Sequence, residues 1–407
     1  MSEHSRSGIS RLAASALMPQ EAMVEVHKQE KKLLIGIPKE TSFQENRIPL
    51  VPEAVAQLTA NGHEIIIEAG AGAASNFQDS DFSEAGARIV YSVEEVFQCD
   101  VVLKVAPPSE KELDLLKTRQ TLVSILQMSM QNEQYVRKLS SKKITAIGYE
   151  FMHDDSGVYP IIQAMSEIVG SACILIAAEY MSNAFNGKGE LLGGVAGIPP
   201  TEVVIIGAGT VGEYAARAAL GLGATVKVFD NSVQRLRRIQ NHLGNRIFTS
   251  TIVPSILLKE LKHADVAIGA LRSSEGRTPV VVTDEMVSEM QVGSAIVDVS
   301  IDQGGCFETS EVTNHSQPVF RKYGVVHYCV PNIASRVSRT ASTALSNIFT
   351  PMLINAGEVG GLDELLWKDK LVRRGVYMFR GSITNRYVAD ASKLPYKDLD
   401  LLQAARI

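Results

Sequence analysis

The segment VVIIGAGTVG, residues 203–212, constrains the fold of this chain more than any other stretch. An apolar run leads into three glycines in G-x-G-x-x-G spacing, and a helical pattern leads out of them. Gly207 permits a tight turn, Gly209 lets the backbone approach a pyrophosphate, and Gly212 lets the helix pack closely on the strand. Because a helix N-terminus also offers N–H groups and a positive dipole to phosphates, the segment predicts a dinucleotide-binding unit.

A carboxylate ends the next predicted strand. Asp230 closes TVKVFD, eighteen residues after Gly212, where it would accept hydrogen bonds from a ribose diol and repel a 2′-phosphate. The position therefore favours NAD over NADP, although Arg235, Arg237 and Arg238 lie just beyond it and weaken that preference. An α/β domain with glycine turns and no nucleotide is the alternative interpretation.

Strand and helix patterns alternate on both sides of the glycine loop. The predicted strands before it are LLIGIP, HEIIIEAG, VVLKV, TLVSIL and ITAIGYE, and those from the loop onward are EVVIIG, TVKVFD, NRIFTS, DVAIGA, SAIVDVS and GVVHYCV. Such alternation predicts parallel sheets covered by helices on both faces. The second group has the six strands that a complete dinucleotide-binding unit requires.

Two long helical patterns divide the chain. One covers residues 165–185, and the other, SRTASTALSNIFTPMLINAGE, begins after the sixth strand of the second group. We therefore predict an α/β fold of two doubly wound, Rossmann-like parallel-sheet domains joined by two long helices. The expected divisions are an N-terminal extension over 1–32, a substrate domain over 33–160 and 338–407, and an NAD-binding domain over 161–337.

Composition argues against several other classes of protein. The chain has a net charge of −5 and only 6% aromatic residues, so no basic or base-stacking surface for nucleic acid is expected. Its four cysteines form no C-x-x-C and lie apart from clustered histidines, which predicts a reduced, cytoplasmic protein without a metal site. No run of about 18 uncharged apolar residues suggests a membrane span, and residues 1–32 lack the apolar centre of a signal peptide.

Polar residues at strand ends mark the candidate chemistry, because ligands of open α/β sheets bind outside the carboxyl ends of the strands. Asp302 lies in SIDQGG, where a carboxylate would orient water or accept a proton; an aspartate that caps the turn is an equal alternative. His327 lies inside the apolar strand GVVHYCV, and a core histidine with its hydrogen bonds satisfied is expected there.

Two cations stand out in the first half of the chain. Lys104 ends the buried strand of VVLKVAPP, so it must reach the crevice or find a partner; snorkelling to the surface is the alternative. Arg47 lies in ENRIPLVP, where a surface salt bridge with Glu45 is equally plausible. Two cations that converge on a cleft would hold a carboxylate.

Several motifs together resemble the alanine dehydrogenase branch of the family shared with the nicotinamide nucleotide transhydrogenase α subunit. They are GIPKETSFQENRIPLVPEAV, EAGAG, DVVLKVAPP, MSEIVGSA, GGVAGIPPTEVVIIGAGTVG, IVDVSIDQGGCFE and the helix opening SRTAS. The resemblance implies oxidation of L-alanine by NAD with water to pyruvate and ammonium. It also implies a homo-oligomer, usually a hexamer.

The resemblance further implies roles for single residues. Arg47 and Lys104 match substrate-binding positions, and Asp302 matches the catalytic aspartate. Cofactor-contacting positions, besides the three glycines, are matched by Ser166, Asp230, Arg235 and Asn332. We predict Asp302, Gln127 and Lys104 as the catalytic residues.

The chain departs from the family pattern at two places. Gln127 in LVSILQMSMQ stands where the family has its catalytic histidine, and glutamine forms hydrogen bonds but takes no proton. Near Asn332, Ile333 and Ala334 replace the usual Met-Pro, and Ser338 replaces a proline. These changes predict a slow alanine dehydrogenase or one tuned to another substrate.

Two other functions stay open at this point. One is a related dehydrogenase of the lysine or saccharopine type, acting on a bulkier amino acid or imine. The other is a non-catalytic NAD(H)-binding or transhydrogenase-like subunit, for which Arg47, Lys104 and Asp302 would be unnecessary.

Overall fold

The computed structural model describes residues 30–273 and 276–404, so all but the last three residues of the predicted extension 1–32 lie outside it. The strands are β1 (Leu34–Ile37), β2 (Glu64–Glu68), β3 (Arg88–Val90), β4 (Val101–Leu103), β5 (Thr121–Ser124), β6 (Thr145–Gly148), β7 (Glu202–Ile206), β8 (Thr225–Phe229), β9 (Phe248–Ser250), β10 (Val266–Gly269), β11 (Ala295–Asp298), β12 (Val319–Lys322), β13 (Val325–Tyr328), β14 (Val376–Phe379) and β15 (Ser382–Ile383).

Helices of very different length connect these strands. They are α1 (Pro52–Ala60), α2 (Asp79–Glu84), α3 (Val93–Val96), α4 (Glu110–Leu115), α5 (Glu133–Ser141), α6 (Pro160–Met181), α7 (Thr210–Gly221), α8 (Val233–Leu243), α9 (Pro254–Leu261), α10 (Asp284–Ser288), α11 (Ser338–Val359), α12 (Leu362–Lys368), α13 (Lys370–Gly375), α14 (Arg386–Ser392) and α15 (Leu399–Ala404). Short 3₁₀ turns follow several strand ends, including Val299–Gln303 after β11 and Ile333–Val337 before α11.

Both sheets have the same parallel core. The first runs β15-β14-β6-β5-β4-β1-β2-β3 and the second β12-β13-β11-β10-β7-β8-β9. In each, six parallel strands follow the doubly wound order 3-2-1-4-5-6, while β14, β15 and β12 add antiparallel strands at one edge. The predicted fold class, two Rossmann-like sheets joined by two long helices, is confirmed. The exact domain boundaries stay a prediction.

The inner strands form because helices cover both faces of each sheet. Every residue of β4, β5, β6, β10 and β11 is buried, as expected for near-continuous apolar runs in parallel sheets. His327 lies in β13 with no exposed surface, and its Nε2 lies 2.8 Å from Thr309 Oγ1. The prediction of a core histidine is therefore confirmed.

Helix α6 connects the first sheet to the second. Proline at its first turn suits a helix start, and Gly170 lets it approach α7 closely. A Cβ on Gly170 would collide with the carbonyl oxygen of Val211 and lie 2.8 Å from Tyr214 Cβ. Within the described residues α6 alone is long and apolar enough to cross a membrane, which is weak evidence for a span; its packing on α7 is that of a core helix.

Substitution of Gly170 by alanine tests this close packing. We expect Gly170→Ala to lower the free energy of unfolding by about 1–3 kcal/mol, because the methyl group has no space between the helices. The matched control is Gly221→Ala in α7, where a Cβ meets no heavy atom within 4 Å, and it should stabilise by about 0.4–1 kcal/mol. Calorimetry of both variants checks the pair, and equal thermal midpoints would contradict the packing described here.

Candidate functional site

A cavity of about 310 Å³ opens at the carboxyl ends of β10 and β11, beside α6 and the N-terminal turn of α7. Ser166 and Met165 of α6 form one wall, Asp302 lies on the turn after β11, and Arg272 follows β10. This is where an open α/β sheet binds its ligands. Two predicted site residues, Ser166 and Asp302, therefore line the same space.

The glycine loop adjoins this cavity. Gly207 has φ +117°, and a Cβ there would collide with the carbonyl oxygen of Ala270; a Cβ on Gly212 would collide with the carbonyl oxygen of Gly207. A Cβ on Gly209, by contrast, meets no heavy atom within 4 Å. The first and third glycines are thus required by the protein's own packing, whereas Gly209, the N-cap of α7, leaves open the space that a phosphate group would need.

Asp230 is buried at the end of β8 and holds this loop. Its Oδ2 accepts a hydrogen bond from the Ala208 N–H (2.8 Å) and its Oδ1 one from the Ser232 N–H (2.7 Å). Arg235 Nη1 lies 3.8 Å from Asp230 Oδ2, and Arg238 donates to the Ala208 carbonyl (3.0 Å). The carboxylate retains acceptor sites for a ribose hydroxyl.

Serines of α11 hold the loop that carries Arg47. Ser342 Oγ accepts from the Ile48 N–H and Ser346 Oγ from the Val51 N–H, both at 2.9 Å. Ser335, in the turn before α11, accepts from the Asn46 N–H at 2.8 Å. Residues four apart share one face of a helix, so the spacing of Ser342 and Ser346 lets one helix fix an extended segment of the first lobe.

Arg47 forms a buried ion pair with Glu45. Its Nε donates to Glu45 Oε1 at 2.7 Å, its Nη2 to Oε2 at 2.5 Å, and the two side chains are 12% and 5% exposed. Desolvation alone would raise the pKa of Glu45, but the hydrogen bonds and charge of Arg47 outweigh it and lower that pKa. The pair predicted as a surface salt bridge is therefore present but buried, and Arg47 Nη1 lies 3.5 Å from Met165 Sδ in the cavity wall.

Asn332 joins this pair to Asp302. It has a left-handed backbone, φ +55°, which asparagine tolerates better than most residues. Its side-chain amide donates to Glu45 Oε2 (3.0 Å), and its backbone N–H donates to Asp302 Oδ1 (3.1 Å). Arg47, Glu45, Asn332 and Asp302 thus form one network across the two lobes.

The Asp302 side chain lines the cleft and is itself exposed. Desolvation raises its pKa, and the Asn332 hydrogen bond and the charge of Arg47 offset part of that rise. A carboxyl with a raised pKa is better matched to proton transfer near neutral pH than an ordinary aspartate. Asp302 accepts a hydrogen bond from Asn332, thirty residues away, so a turn-capping role alone does not describe it.

Lys104 has no exposed surface and two carboxylate partners. Its Nζ lies 3.0 Å from Glu40 Oε2 and 2.9 Å from Glu112 Oε1. Burial alone would lower the pKa of Lys104, but the two carboxylates outweigh it and raise the pKa, so the lysine is charged. Snorkelling is wrong for this residue, and its predicted catalytic and substrate-binding roles stay predictions.

The two partners of Lys104 are themselves anchored. Glu40 Oε1 accepts from the Val105 N–H at 2.6 Å, and burial raises the pKa of Glu40 despite the nearby lysine. Glu112 closes a capping box with Ser109 at the start of α4, and the charge and hydrogen bond of Lys104 outweigh desolvation and lower its pKa. Lys104, Glu40 and Glu112 therefore form a cluster in which one cation contacts two carboxyl groups.

Gln127 is exposed on a left-handed turn with φ +49°. Glu150 holds that turn, because its Oε1 accepts from the N–H groups of Leu126 (2.7 Å) and Gln127 (3.1 Å). Glu150 Oε2 is buried without a hydrogen-bond partner among the described residues, and burial raises the pKa of this carboxyl. No hydrogen bond from the Gln127 amide joins it to the Arg47–Asp302 network in the part of the chain described.

Sequence analysis missed four charged residues of this region: Glu40, Glu112, Glu150 and Arg272. Ser109 and Glu112 carry the S-x-x-E spacing of a capping box, which was a usable signal for one of them. Arg272 comes directly after Ala270 and Leu271, at a predicted strand end, and that position was the available signal. Glu40 and Glu150 contact residues distant in sequence, and no local pattern predicts such contacts.

Comparison with known proteins places both lobes in one family. Residues 36–169 match the model of the alanine dehydrogenase/PNT N-terminal domain, and residues 173–386 match that of the C-terminal domain. The chain is 37% identical over 367 residues to an alanine dehydrogenase of Mycolicibacterium smegmatis, which covers 90% of this chain and 98% of the relative. It is 38% identical over 366 residues to an alanine dehydrogenase of Methanococcus maripaludis, covering 89% and 98%.

Solved structures agree with this grouping. An L-alanine dehydrogenase superposes with a TM-score of 0.83 and 35% identity, covering 88% of this chain and 98% of that one. A transhydrogenase from Sinorhizobium meliloti, with a TM-score of 0.73 and 23% identity over 87% and 99%, shares the fold. The chain therefore belongs to the alanine dehydrogenase/PNT family, which confirms the predicted resemblance and the prediction of a dehydrogenase-type enzyme.

Replacing Glu150 by glutamine tests the state of the buried carboxyl behind Gln127. Because its pKa is raised in the folded protein, the stability that it contributes is full below the unfolded pKa and is lost as the pH rises through the folded pKa. Glu150→Gln removes this loss of stability at high pH, because glutamine does not ionise, and it keeps an oxygen that accepts from the Leu126 and Gln127 N–H groups. The free energy of unfolding of the variant relative to the parent should therefore be more favourable at about pH 8 than at about pH 5.

Urea unfolding at both pH values measures this difference. The matched control is Glu358→Gln, at an exposed glutamate of α11, unfolded at the same two pH values. A Glu150 variant that is destabilised more at the higher pH than at the lower would mean that the ionised carboxylate, rather than the acid, is the favoured form.

Proposed function

We propose that this member of the alanine dehydrogenase/PNT family is an NAD-dependent alanine dehydrogenase. In the proposed reaction L-alanine, NAD⁺ and water give pyruvate, ammonium, NADH and a proton, reversibly. The observation that carries the proposal is the Arg47–Glu45–Asn332–Asp302 network, which joins a cation of the first lobe to a carboxyl at the cavity of the second. The names of the relatives at 37–38% identity support alanine as the substrate.

The cofactor site that we propose uses the predicted residues. The open space at Gly209 and the N-terminus of α7 suit a pyrophosphate, and Asp230 suits a ribose diol, which favours NAD. Ser166 lies in the wall of the adjacent cavity and Asn332 bonds to Asp302 beside it, on the side where a nicotinamide would lie. Arg235, 3.8 Å from Asp230, is close enough to contact the same ribose.

Bound NAD⁺ would accept a hydride from the substrate Cα. Asp302 would orient the attacking water and take up a proton, a role that suits a carboxyl whose pKa is raised. The Asn332 N–H holds Asp302 in place, and Arg47 places positive charge beside the cavity, where it stabilises a carboxylate or developing negative charge on oxygen. In this proposal Gln127 only donates and accepts hydrogen bonds, and Lys104 positions Glu40 and Glu112.

A second candidate function is NAD(H) binding without turnover of an amino acid. It is favoured by Gln127, which supplies no acid or base, and by Lys104, which already has two carboxylate partners. A dehydrogenase of the lysine or saccharopine type is the remaining alternative. Formation of NADH from NAD⁺ across a panel of amino acids separates the three, because only the first proposal predicts the highest kcat/KM with L-alanine and only the second predicts tight NADH binding with no turnover.

The proposal extends to the state of the protein in the cell. We propose a cytoplasmic homo-oligomer that acts on a small amino or 2-oxo acid, as the family resemblance implies. Light scattering of the purified protein measures the oligomer, and a monomeric mass would contradict that part of the proposal.

Substitution of Asp302 tests the proposed proton acceptor. Asp302→Asn should lower kcat for L-alanine by about 10²–10⁴-fold, the usual effect of losing a positioned acid or base. Affinity for NADH should change little, because the asparagine is isosteric. The matched control is Asp390→Asn at an exposed aspartate of α14, which should retain parental turnover; an Asp302 variant with unchanged kcat would refute the assigned role.

Substitution of Gln127 tests the missing base. Gln127→His should raise kcat for L-alanine by about tenfold or more and add a dependence on pH near the ordinary histidine pKa of about 6.5. Gln127→Ala, which removes the amide without adding a base, should not raise it. If the histidine variant is no faster than the parent, residue 127 is not the position at which an acid or base is lacking.

A further inference from the structure

A second aspartate, Asp298, comes shortly before Asp302 in the chain and has no part in the reaction proposed above. It is the last residue of β11, and it has no exposed surface. A carboxyl group is costly to bury unless protein hydrogen bonds replace those that it made with water. Burial raises the pKa of Asp298, and its hydrogen bonds offset part of that rise.

The hydrogen bonds of Asp298 come from the chain that follows it. Its Oδ1 accepts from the Ser300 N–H at 3.0 Å. Its Oδ2 accepts from the Cys306 N–H at 2.9 Å and from the Ser310 hydroxyl at 2.7 Å. Because these donors lie on both sides of Asp302 in the sequence, one buried side chain closes the segment around Asp302 into a loop.

Glycines on two sides make room for this carboxyl. Gly269 of β10 pairs in register with Asp298, and a Cβ there would collide with Asp298 Oδ1. A Cβ on Gly305 would lie 2.8 Å from Asp298 Oδ2, and Gly305 has φ +81°. The carboxyl is therefore held between two backbone segments as well as by its hydrogen bonds.

Asp302 is the carboxylate that this loop presents to the cavity. It belongs to the turn Val299–Gln303, and its side chain lines the cavity. The Thr278 N–H donates to the Gln303 carbonyl at 2.8 Å and so holds the end of the turn. Asp298 holds the start of the turn and the segment behind it. A residue of a turn lacks the hydrogen-bond ladder of a strand, so such side-chain contacts to the backbone fix where it lies.

We propose that Asp298 is a positioning residue, which fixes the turn that carries Asp302 and so aims the Asp302 carboxyl into the cavity. Asp298 acts through Asp302 and touches neither substrate nor cofactor. The inference rests on the proposed function for its effect on turnover, whereas the positioning itself is measurable without turnover. A displacement of about 1 Å at a reacting group is enough to lower a rate by about 10²-fold.

Ser310→Ala is the mild test, because it removes one donor and leaves the carboxyl in place. It should lower kcat for L-alanine by about 3–10-fold, while the KM and the Kd of NADH stay within about twofold. Asp298→Asn should lower kcat by about 10–100-fold, since its amide N–H₂ would face a backbone N–H donor in either orientation. If Asp298→Asn fails to fold, Ser310→Ala decides.

The matched control is Ser294→Ala, immediately before the opposite end of β11. The Ser294 side chain has no exposed surface, and its hydroxyl donates to the Gln291 carbonyl at 2.7 Å. Ser294→Ala thus removes a comparable hydrogen bond at the end of the strand that is remote from the cavity. It should keep the parental kcat, and an equal loss of kcat in both serine variants would overturn the proposal.

A double substitution separates positioning from a general loosening of the site. If the loop acts through Asp302, Ser310→Ala should have no further effect once Asp302 is replaced. The kcat of Asp302→Asn with and without Ser310→Ala should then agree within about twofold. A loss of kcat by the same factor in both backgrounds would mean that the loop affects the reaction by another route, which contradicts the assigned role.

Amide hydrogen exchange of the full-length protein reports on the turn whether or not the protein turns over alanine. The peptide over residues 299–310 should exchange faster in Ser310→Ala than in the parent or in Ser294→Ala. The peptide that contains Asn332 should do the same, because the Asn332 N–H donates to Asp302 Oδ1 at 3.1 Å.

These outcomes distinguish the inference from the proposed function. Faster exchange of both peptides in a protein without turnover would support the positioning role and refute the proposed function. Parental turnover of alanine with an unchanged kcat in folded Ser310→Ala and Asp298→Asn would overturn the inference and leave the proposed function standing. Unchanged exchange in both variants would overturn the inference whatever the turnover.

Discussion

The position of the first lobe relative to the cavity depends on hydrogen bonds between serine hydroxyls and a buried extended segment. Ser342 and Ser346 satisfy the N–H groups of Ile48 and Val51, in a segment that belongs to no described strand of the first sheet. A buried N–H group left without an acceptor costs about 1–3 kcal/mol, so these contacts decide where the segment can lie. Arg47 precedes Ile48 directly, and its direction toward Met165 follows from that anchoring.

The buried charged side chains near the cleft form ion pairs with one another. Buried ion pairs contribute little net stability, because desolvation offsets their attraction, but a partner that is removed leaves an expensive unpaired charge. Glu45 with Arg47, and Lys104 with Glu40 and Glu112, are therefore better understood as devices that fix geometry than as sources of stability.

Much of the fold was predictable from sequence because the inner strands are buried on both faces and therefore consist of near-continuous apolar residues. The spacing of the glycines also identified the loop between β7 and α7. The edge strands β3, β12 and β15 carry no such run and were not predicted, and neither was the buried strand β14 next to β15. At the site, Arg47, Asp302, Ser166 and Asn332 could be placed from strand ends and family motifs. The partners of Lys104 could not be predicted in this way. Glu40 lies more than sixty residues before Lys104 in the sequence, and only the folded chain brings the two side chains together.

The spacing of Ser342 and Ser346 on α11 also fixes the position of the segment that carries Ile48 and Val51. Each added or deleted residue turns the rest of an α-helix by about 100°, so a single insertion between Ser342 and Ser346 would swing the second hydroxyl off the first lobe while leaving the first in place. Within the first three turns of α11, an insertion or deletion would therefore be more disruptive than a substitution at an exposed position.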